Sequence, residues 1–317
     1  ARSATPRTTA SSAMPETKEH WNATFFAQDD WNVVENLNII VGIRVDYHEK
    51  FNWNASPKLS MLYRTFPFTL RLNYARGFRS PGLKELYMDW DHLGMFQIYG
   101  NENLKPETNN YVSMSGEYVS SRLYATLTAY GNRFRNKIEG IWSNNQTEYH
   151  YTNVGNTTLA GVEATARIKV AKSLFVNGTL NYLHSRNEEG VRLTTASPLS
   201  ANVRLEYGIT KKNYNVNFNF SGAYIGKTDY DVSDEIEVNG AIQDSYYQAH
   251  VAAYSLWNFA ITQYFYDAFR ITVGADNLFN YKASIVNFNT STTPGRRFYI
   301  GMNLNIGGVS NIFKTKR

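Results

Sequence analysis

The sequence lacks cysteine altogether and contains only eight prolines and six histidines in 317 residues. The absence of cysteine excludes disulfide bonds and thiolate metal sites. No segment approaches the roughly 18 consecutive apolar residues that a membrane-spanning helix needs. The net charge of +5 is spread along the chain rather than clustered, so it does not indicate a nucleic-acid-binding surface.

Aromatic residues are abundant, with 23 Tyr, 18 Phe and 6 Trp, and polar and apolar residues alternate with a period of two. In the segment 39–47, Val41 and Ile43 share one face of the predicted strand. The opposite face of this segment carries Arg44 and Asp46. Such alternation predicts strands with one apolar and one polar face, and no helical period competes with it.

Tight turns alternate with long, polar and aromatic connections between about thirteen predicted strands. Short turns at one end of the strands and long loops at the other are typical of outer-membrane barrels. The predicted fold is therefore an all-β, transmembrane, antiparallel β-barrel with its polar face toward a wet lumen. A water-soluble all-β protein is the alternative, but it would also need an apolar core between its faces. The predicted long connections are residues 49–57, 78–106, 142–157, 184–199, 225–252 and 277–295.

An odd number of strands leaves a membrane barrel open, because edge strands in lipid have unpaired backbone groups. We therefore expect the first strand (residues 21–31) and the last (297–306) to need neighbours outside this sequence. The Ser- and Thr-rich residues 1–20 lack an apolar signal-peptide core. They are expected to form a flexible outer-loop segment, a nicked or split loop tip. Residues 21–306 are the expected barrel portion, and 307–317 a C-terminal extension.

The connection from Phe78 to Leu104 is the longest in the first half of the chain. A loop of this length on a sheet is typically functional or disordered, and its aromatic content argues against disorder. We expect it to hold a flat, partly apolar ligand. The side chains suited to such a ligand are Tyr87, Met88, Trp90, His92, Met95, Phe96 and Tyr99.

Three motifs give the sequence a resemblance to a known family. They are Gly-Phe-Arg-Ser-Pro at 77–81 with 99–107, Asn-Val-Gly at 153–155 with 159–163, and Ala-Asp-Asn-Leu-Phe-Asn at 275–280 followed by Tyr281. With them, the chain resembles the C-terminal part of a TonB-dependent outer-membrane receptor of Gram-negative bacteria. The resemblance implies a 22-stranded barrel with an N-terminal plug, in which this chain supplies the last thirteen strands. It also implies an importer, not an enzyme, that is energised by the TonB-ExbB-ExbD complex.

The chain further resembles the haem-uptake branch of this family, in which an FRAP-type box and an NPNL-type box flank a histidine in the seventh outer loop. Here Ser80 replaces the alanine of the first box and Glu102 replaces the proline of the second. Related boxes also occur in receptors for cobalamin and other cargo. The matching residues are Phe78, Arg79, Ser80, Pro81, His92, Asn101, Glu102, Asn103 and Leu104.

The resemblance implies that haem is the transported ligand and that no cofactor serves catalysis. A neutral imidazole is a good ligand for haem iron, which assigns this role to His92. Tyr87 and Tyr99 are expected to stack on the porphyrin, Met95 to offer a soft contact, and Arg79 to meet a propionate. The alternatives are that His92 is an ordinary loop histidine and that Arg79 only shapes the base of the loop.

Other functions stay open at this point. The cargo is alternatively cobalamin, another corrinoid or another iron chelate. An outer-membrane enzyme would need a Ser–His or Asp–His pair on the barrel rim, and no spacing marks one. A plug would exclude a passive porin, and a surface lipoprotein haemophore is a possible partner that passes cargo on. A further hypothesis is a calcium site in an outer loop, formed by Asp229, Asp231, Asp234, Glu235 and Glu237.

Overall fold

The computed structural model describes residues 18–308 except 93, 144–146, 189–196, 239–240, 267 and 285–291, and it leaves out the side chains of 230–248. Strands make up most of the described residues. In chain order the elements are β1 Asn22–Val34, β2 Leu37–His48, β3 Asn52–Thr65, β4 Phe68–Arg79, α1 Leu83–Tyr87, β5 Asp89–Asp91, β6 Gln97–Tyr99, β7 Glu107–Val119, β8 Leu123–Arg135, β9 Ile138–Trp142, β10 Glu148–Asn153, β11 Thr157–Ala171, β12 Leu174–Arg186, β13 Leu199–Lys211, β14 Tyr214–Ile225, β15 Thr228–Val238, β16 Ala241–Val251, β17 Tyr254–Phe265, β18 Phe269–Asp276 and β19 Arg297–Leu304.

Thirteen of these strands form one antiparallel sheet, which confirms the predicted strand count. The order is β1, β2, β3, β4, β7, β8, β11, β12, β13, β14, β17, β18 and β19. Within the described part of the chain, β1 pairs with β2 and β19 pairs with β18, and neither has a second neighbour. Every residue of both edge strands is exposed. The sheet is therefore an open part of a barrel.

The two faces of the sheet separate apolar from polar side chains. Leu127 of β8 and Leu180 of β12 flank Ala164 of β11 in register on one face. These leucines are 58% and 48% exposed, although they lie in the middle of a regular sheet. Thr128 and Glu163 are in register on the other face. An exposed apolar face opposite a polar one fits lipid on the outside and water in the lumen.

The connections show where the predictions were right and where they were wrong. Residues 49–57 were predicted to be a long loop, but β3 begins at Asn52 and Pro57 lies inside it, opposite Ile43. Pairing of β3 with β4 begins only at Lys58. Pro57 therefore lies where β3 has one neighbour, a position that tolerates a missing N–H. The connection 225–252 contains the antiparallel β15–β16 hairpin.

The helix α1 was not predicted, because its five residues are too few to show a helical period. Among the described residues, no helix is both long enough and apolar enough to cross a membrane. Two of the most completely buried residues lie outside the large sheet, at the base of the long loops. Leu86 of α1 is 1% exposed and Leu104 is 2% exposed, and both pack against Ile138.

Candidate ligand-binding site

Two long connections at the same end of the sheet join into one structure. The β4–β7 connection contributes β5 and β6, and the β8–β11 connection contributes β9 and β10. These four short strands form a second sheet in the order β5, β6, β10, β9. The two connections meet where β6 runs parallel to β10, with Ile98 next to Tyr149. We call this four-stranded structure the loop sheet.

Carboxylates hold Arg79 of the first box at the base of the loop. Nη1 of Arg79 donates to both carboxylate oxygens of Glu85 at 2.9 Å, and Nη2 donates to Glu107 at 3.3 Å. Glu107 also accepts the backbone N–H of Ile138 at 3.0 Å. Arg79 thus ties β4 to α1 and to the start of β7. A ligand carboxylate would have to displace Glu85 or Glu107 to reach this guanidinium.

Asn101 of the second box connects the two loops. Its backbone N–H donates to the carbonyl of Glu85 at 2.8 Å. Its side-chain Nδ2 donates to the carbonyl of Tyr151 at 3.0 Å, and its Oδ1 accepts the N–H of Asn103 at 2.9 Å. Because each of these bonds fixes backbone, Asn101 sets the position of the loop rather than presenting a free amide.

Leu104 closes the second box by anchoring it in the only buried hydrophobic cluster found among the described residues. This cluster contains Leu86, Leu104 and Ile138, with Tyr87 and Tyr151 packed against it. The cluster draws one residue from the box, one from α1 and one from β9. Spacing along the sequence does not reveal that three separate segments meet here.

Gly100 allows the returning chain to pass directly over α1. A Cβ atom at this position would lie 2.6 Å from the backbone nitrogens of Tyr87 and Met88. Backbone atoms cannot move aside as a flexible side chain can, so glycine is needed for this approach. The crossing brings Tyr99 close to the C-terminal end of α1.

His92 lies in an aromatic cluster that spans both loops. Its ring stacks on Phe96 with centroids 4.7 Å apart and contacts Trp90 at 4.8 Å. Phe96 in turn contacts Trp142 of β9 at 5.1 Å. Nδ1 of His92 is buried and lacks a hydrogen-bond partner in the described part of the chain. An iron-ligand role for His92 would therefore fall to Nε2.

Tyr87 belongs to a different group of side chains. Its hydroxyl lies 2.9 Å from Nε2 of His20, and the ammonium groups of Lys18 and Lys50 lie 5.5 and 5.4 Å from its ring centre. Nζ of Lys50 also donates to the carbonyl of Glu102 at 2.8 Å. Both lysines are within the range of a cation–π interaction. Positive charge thus gathers around this tyrosine.

Tyr87 and Tyr99 line one cavity of about 950 Å³ at the base of the loop sheet. Tyr99 also stacks on His150, with centroids 5.0 Å apart and an interplanar angle of 17°. The residues lining this cavity are Lys18, Leu83, Lys84, Leu86, Tyr87, Met88, Asp89, Tyr99, Gly100 and Glu102. We call it the Tyr87–Tyr99 cavity. Sequence reasoning missed Lys18, whose role depends on a contact across 69 residues of chain.

The structure thus divides the predicted ligand-binding residues. Tyr87 and Tyr99 share a cavity, whereas His92 and Met95 are absent from its lining. Met95 is 62% exposed in the turn between β5 and β6. Arg79 is held by two glutamates.

Burial raises the pKa of nearby Tyr149, with smaller contributions from Tyr151 and Glu139, which keeps this phenol neutral.

The predicted calcium site lies almost entirely outside the described side chains. The carboxylate of Asp229 lies 2.6 Å from Nδ1 of His250 and 3.7 Å from Nζ of Lys227. Over the part of the chain that the structure describes, no group of three or more His, Asp or Glu residues could hold a metal ion. The remaining members of the predicted site, whose side chains are not described, are Asp231, Asp234, Glu235 and Glu237.

Comparison with known proteins identifies the family. The family model described as "TonB dependent receptor-like, beta-barrel" matches residues 2–278. The chain belongs to the TonB-dependent receptor family. It is an outer-membrane β-barrel protein, and the predicted fold and location are confirmed. The similar proteins are receptors rather than enzymes, in agreement with the sequence analysis.

Several relatives of this TonB-dependent receptor chain have names that refer to iron. It is 25% identical to the iron-regulated outer membrane virulence protein of Vibrio cholerae, over 88% of this chain and 44% of that protein. It is also 25% identical to the ferric enterobactin receptor of Pseudomonas aeruginosa, over 88% of this chain and 42% of that protein. Over a shorter stretch, 34% of this chain and 10% of the other, it is 33% identical to a hemoglobin and hemoglobin-haptoglobin-binding protein of Haemophilus influenzae.

A solved structure confirms the fold. The ferric enterobactin receptor mutant R480A of Pseudomonas aeruginosa, in complex with enterobactin, superposes with a TM-score of 0.70 at 23% identity. The match covers 89% of this chain and 45% of the other. The chain therefore spans less than half the length of the receptors that it matches.

Proposed function

We propose that this chain forms the C-terminal barrel wall and half of the outer loops of a receptor that imports an iron chelate. The observation that carries the proposal is the Tyr87–Tyr99 cavity at the long-loop end of the sheet. Long loops of outer-membrane barrels face the outside of the cell. A cavity there that is lined by two tyrosines and two lysines suits capture before transport.

The charges around the cavity favour a chelate with net negative charge. Lys18 and Lys84 line it together with Asp89 and Glu102. Lys50 adds a third cation against the Tyr87 ring. The aromatic rings offer flat surfaces for the planar groups of an iron-binding ligand. This combination supports the iron-chelate class that the sequence analysis held as an alternative to haem.

Haem is the second candidate cargo, and His92 is the observation in its favour. The His92 ring is fixed between Trp90 and Phe96, and only Nε2 is left for a metal. An aromatic surround of this kind suits a porphyrin. In this case the ligand would bind at the loop sheet, beside the Tyr87–Tyr99 cavity rather than within it.

The two candidates are separated by titrating the purified receptor with a ferric catecholate, a ferric hydroxamate, haem and cobalamin. The iron-chelate proposal predicts that Lys84→Ala with Tyr99→Ala weakens binding of one ferric chelate at least about tenfold, a loss near 1.4 kcal/mol. His92→Ala should leave that affinity unchanged, and so should the control Lys105→Ala. A haem Soret shift that His92→Ala abolishes would instead identify haem as the cargo. Cobalamin binding alone would refute both.

The plug and the remaining barrel strands are proposed to form another portion of the receptor, which supplies the neighbours that β1 and β19 lack within the described residues. The TonB-ExbB-ExbD complex would act through that other portion. Mass spectrometry of the receptor purified from outer membranes tests this arrangement. Peptides of plug and barrel sequence from outside the given residues are expected, and a surface lipoprotein haemophore would appear in the same spectrum. A purified receptor whose peptides all fall within the given sequence would contradict this arrangement.

A further inference from the structure

A groove of about 600 Å³ crosses the apolar face of the large sheet at β7, β8, β11 and β12. Small residues form its floor, and larger apolar side chains border it. The floor residues are Gly116, Ala125, Ala164, Ala166 and Gly178, and the bordering residues are Phe68, Tyr118, Leu127 and Leu180. We call it the wall groove. It lies on the lipid-facing side, away from the loop sheet and the Tyr87–Tyr99 cavity.

The groove begins at the tight-turn end of the strands. Phe68 is the first residue of β4, and its ring lies 5.3 Å from that of Tyr118, the penultimate residue of β7. Ala166 is five residues from the end of β11 at Ala171. Ala164, at the far side of the groove, is seven residues from Ala171. At about 3.3 Å per residue along a strand tilted by roughly 40°, the groove reaches roughly 15–20 Å up the wall. This is close to one leaflet of a hydrocarbon core that is about 30 Å thick.

Cations mark the tight turns below the groove and next to it. Arg122 lies in the β7–β8 turn, Lys172 in the β11–β12 turn and Lys212 in the β13–β14 turn, and each of them is exposed. The residues of these three turns, 120–122, 172–173 and 212–213, include no acidic side chain. Short turns of outer-membrane barrels lie on the periplasmic side. A positive rim below an apolar groove matches an amphiphile with a phosphate head and hydrocarbon chains.

The two glycines of the groove floor are not required by the packing of the sheet. A Cβ atom on Gly116 would meet nothing closer than Cδ2 of Leu70 at 3.7 Å, and one on Gly178 nothing closer than the Asn202 carbonyl at 3.9 Å. Both are ordinary contacts. At Gly161, by contrast, a Cβ atom would approach the Tyr182 carbonyl to 2.8 Å. The glycines of the groove therefore leave space that larger side chains could fill.

We propose that the wall groove binds one phospholipid of the periplasmic leaflet, with an acyl chain along the small residues and the phosphate between Arg122 and Lys172. Van der Waals packing of the acyl chain against the small residues supplies the affinity, because the chain comes from the bilayer and gains nothing by transfer from water. The basic turns supply the preference for a phosphate head group. The lipid would fill the groove and anchor this part of the wall at a fixed depth. The proposal is independent of the cargo.

Native mass spectrometry of the receptor purified from outer membranes tests this inference. Phosphatidylglycerol and phosphatidylethanolamine are added in a series of concentrations, and the lipid-bound fraction is measured. Gly116→Leu with Ala164→Leu should lower the apparent affinity for phospholipid at least about tenfold by filling the groove. Gly131→Leu is the matched control, because it lies on the same face of β8 and a Cβ atom there meets nothing within 4 Å. Arg122→Ala with Lys172→Ala should weaken binding several-fold and reduce its dependence on salt.

Each outcome of these measurements either supports or overturns the phospholipid site. Wild-type receptor that retains no phospholipid, or that binds lipopolysaccharide in preference, overturns the inference. Equal lipid retention by the groove-filling variant and by Gly131→Leu overturns it as well. If the groove-filling variant does not assemble, the turn variant Arg122→Ala with Lys172→Ala still tests the site. Unchanged phospholipid affinity in that variant would remove the phosphate contact on which the proposal depends.

Discussion

Nη1 of Arg79 lies 2.9 Å from both carboxylate oxygens of Glu85, and this pair joins the last residue of β4 to helix α1. The same carboxylate accepts the N–H of Gly82, the residue before α1, at 2.7 Å. The pair thus fixes the direction in which the chain leaves the barrel wall. Apart from Arg79 itself, every side chain predicted to contact haem follows this point in the sequence.

Arg79→Lys is expected to loosen the loop without unfolding the barrel. A lysine cannot make the two-pronged contact, because its ammonium group is a single point charge. Arg79 is about half exposed, so its contribution to global stability is small. Hydrogen exchange at residues 83–88 and 101–104 should accelerate several-fold, while the melting temperature stays within a few degrees. Arg204→Lys, in the exposed pair with Glu206, is the control. Unchanged exchange in the loop would show that Arg79 does not hold it.

Gly100→Ala is expected to displace the returning strand from α1. The new Cβ atom would lie 2.6 Å from two backbone nitrogens, so the chain must shift at a cost of about 1–3 kcal/mol. Affinity for the transported ligand should fall because Tyr99 moves relative to Tyr87. Gly82→Ala is the matched control in the same loop, since the nearest atom to its Cβ is 3.7 Å away. Equal affinities for the two variants would contradict the account of this crossing.

Leu86→Ala is expected to destabilise the base of the loops. Leu86 is 1% exposed in the cluster with Leu104 and Ile138, and such truncations cost about 2–5 kcal/mol. Limited proteolysis should then cleave within residues 80–106 faster than in wild type. Leu83→Ala on the same helix, where the side chain is 43% exposed, should leave the cleavage rate unchanged. Similar rates for both variants would show that the cluster does not stabilise this loop.

Met114→Arg is expected to destabilise the barrel more than Thr128→Arg, although the two residues lie at nearly the same height in the wall. Met114 is 58% exposed on the lipid-facing side, where an arginine near the bilayer midplane costs about 2–4 kcal/mol. Thr128 pairs with Ser115, the neighbour of Met114, and faces the wet lumen. The heat-resistant folded band on a gel should weaken only for Met114→Arg. Equal effects would mean that the apolar face does not contact lipid.

The strand pattern could be predicted because each barrel strand has eight residues or more, and the alternation of its side chains is a local property. The loop sheet could not be predicted in this way. β5 and β6 have three residues each, and the parallel pairing of Ile98 with Tyr149 joins segments 51 positions apart. Pro57 likewise suggested a loop. A proline is tolerated within β3 only because β3 is not yet paired with β4 at that position, and the sequence does not show this pairing.

The candidate site was predicted only in part for a related reason. The two boxes do mark the loop base, but through backbone contacts of Asn101 and burial of Leu104 rather than through groups presented to a ligand. Tyr87 and His92 are five positions apart, yet α1 ends at Tyr87 and a new strand begins at Asp89. This change of direction separates their environments. Lys18 and Lys50 reach the site from other parts of the chain.

Uptake of a radioactive iron chelate by intact, energised cells tests the central claim most directly. Cells with the wild-type receptor should accumulate iron from one ferric chelate, and collapse of the proton gradient should stop this accumulation. Lys84→Ala with Tyr99→Ala should reduce the uptake at least about tenfold at low chelate concentration, while Lys105→Ala leaves it unchanged. Uptake that persists without the gradient, or that is equal in the cavity variant and the control, would contradict active import through this cavity.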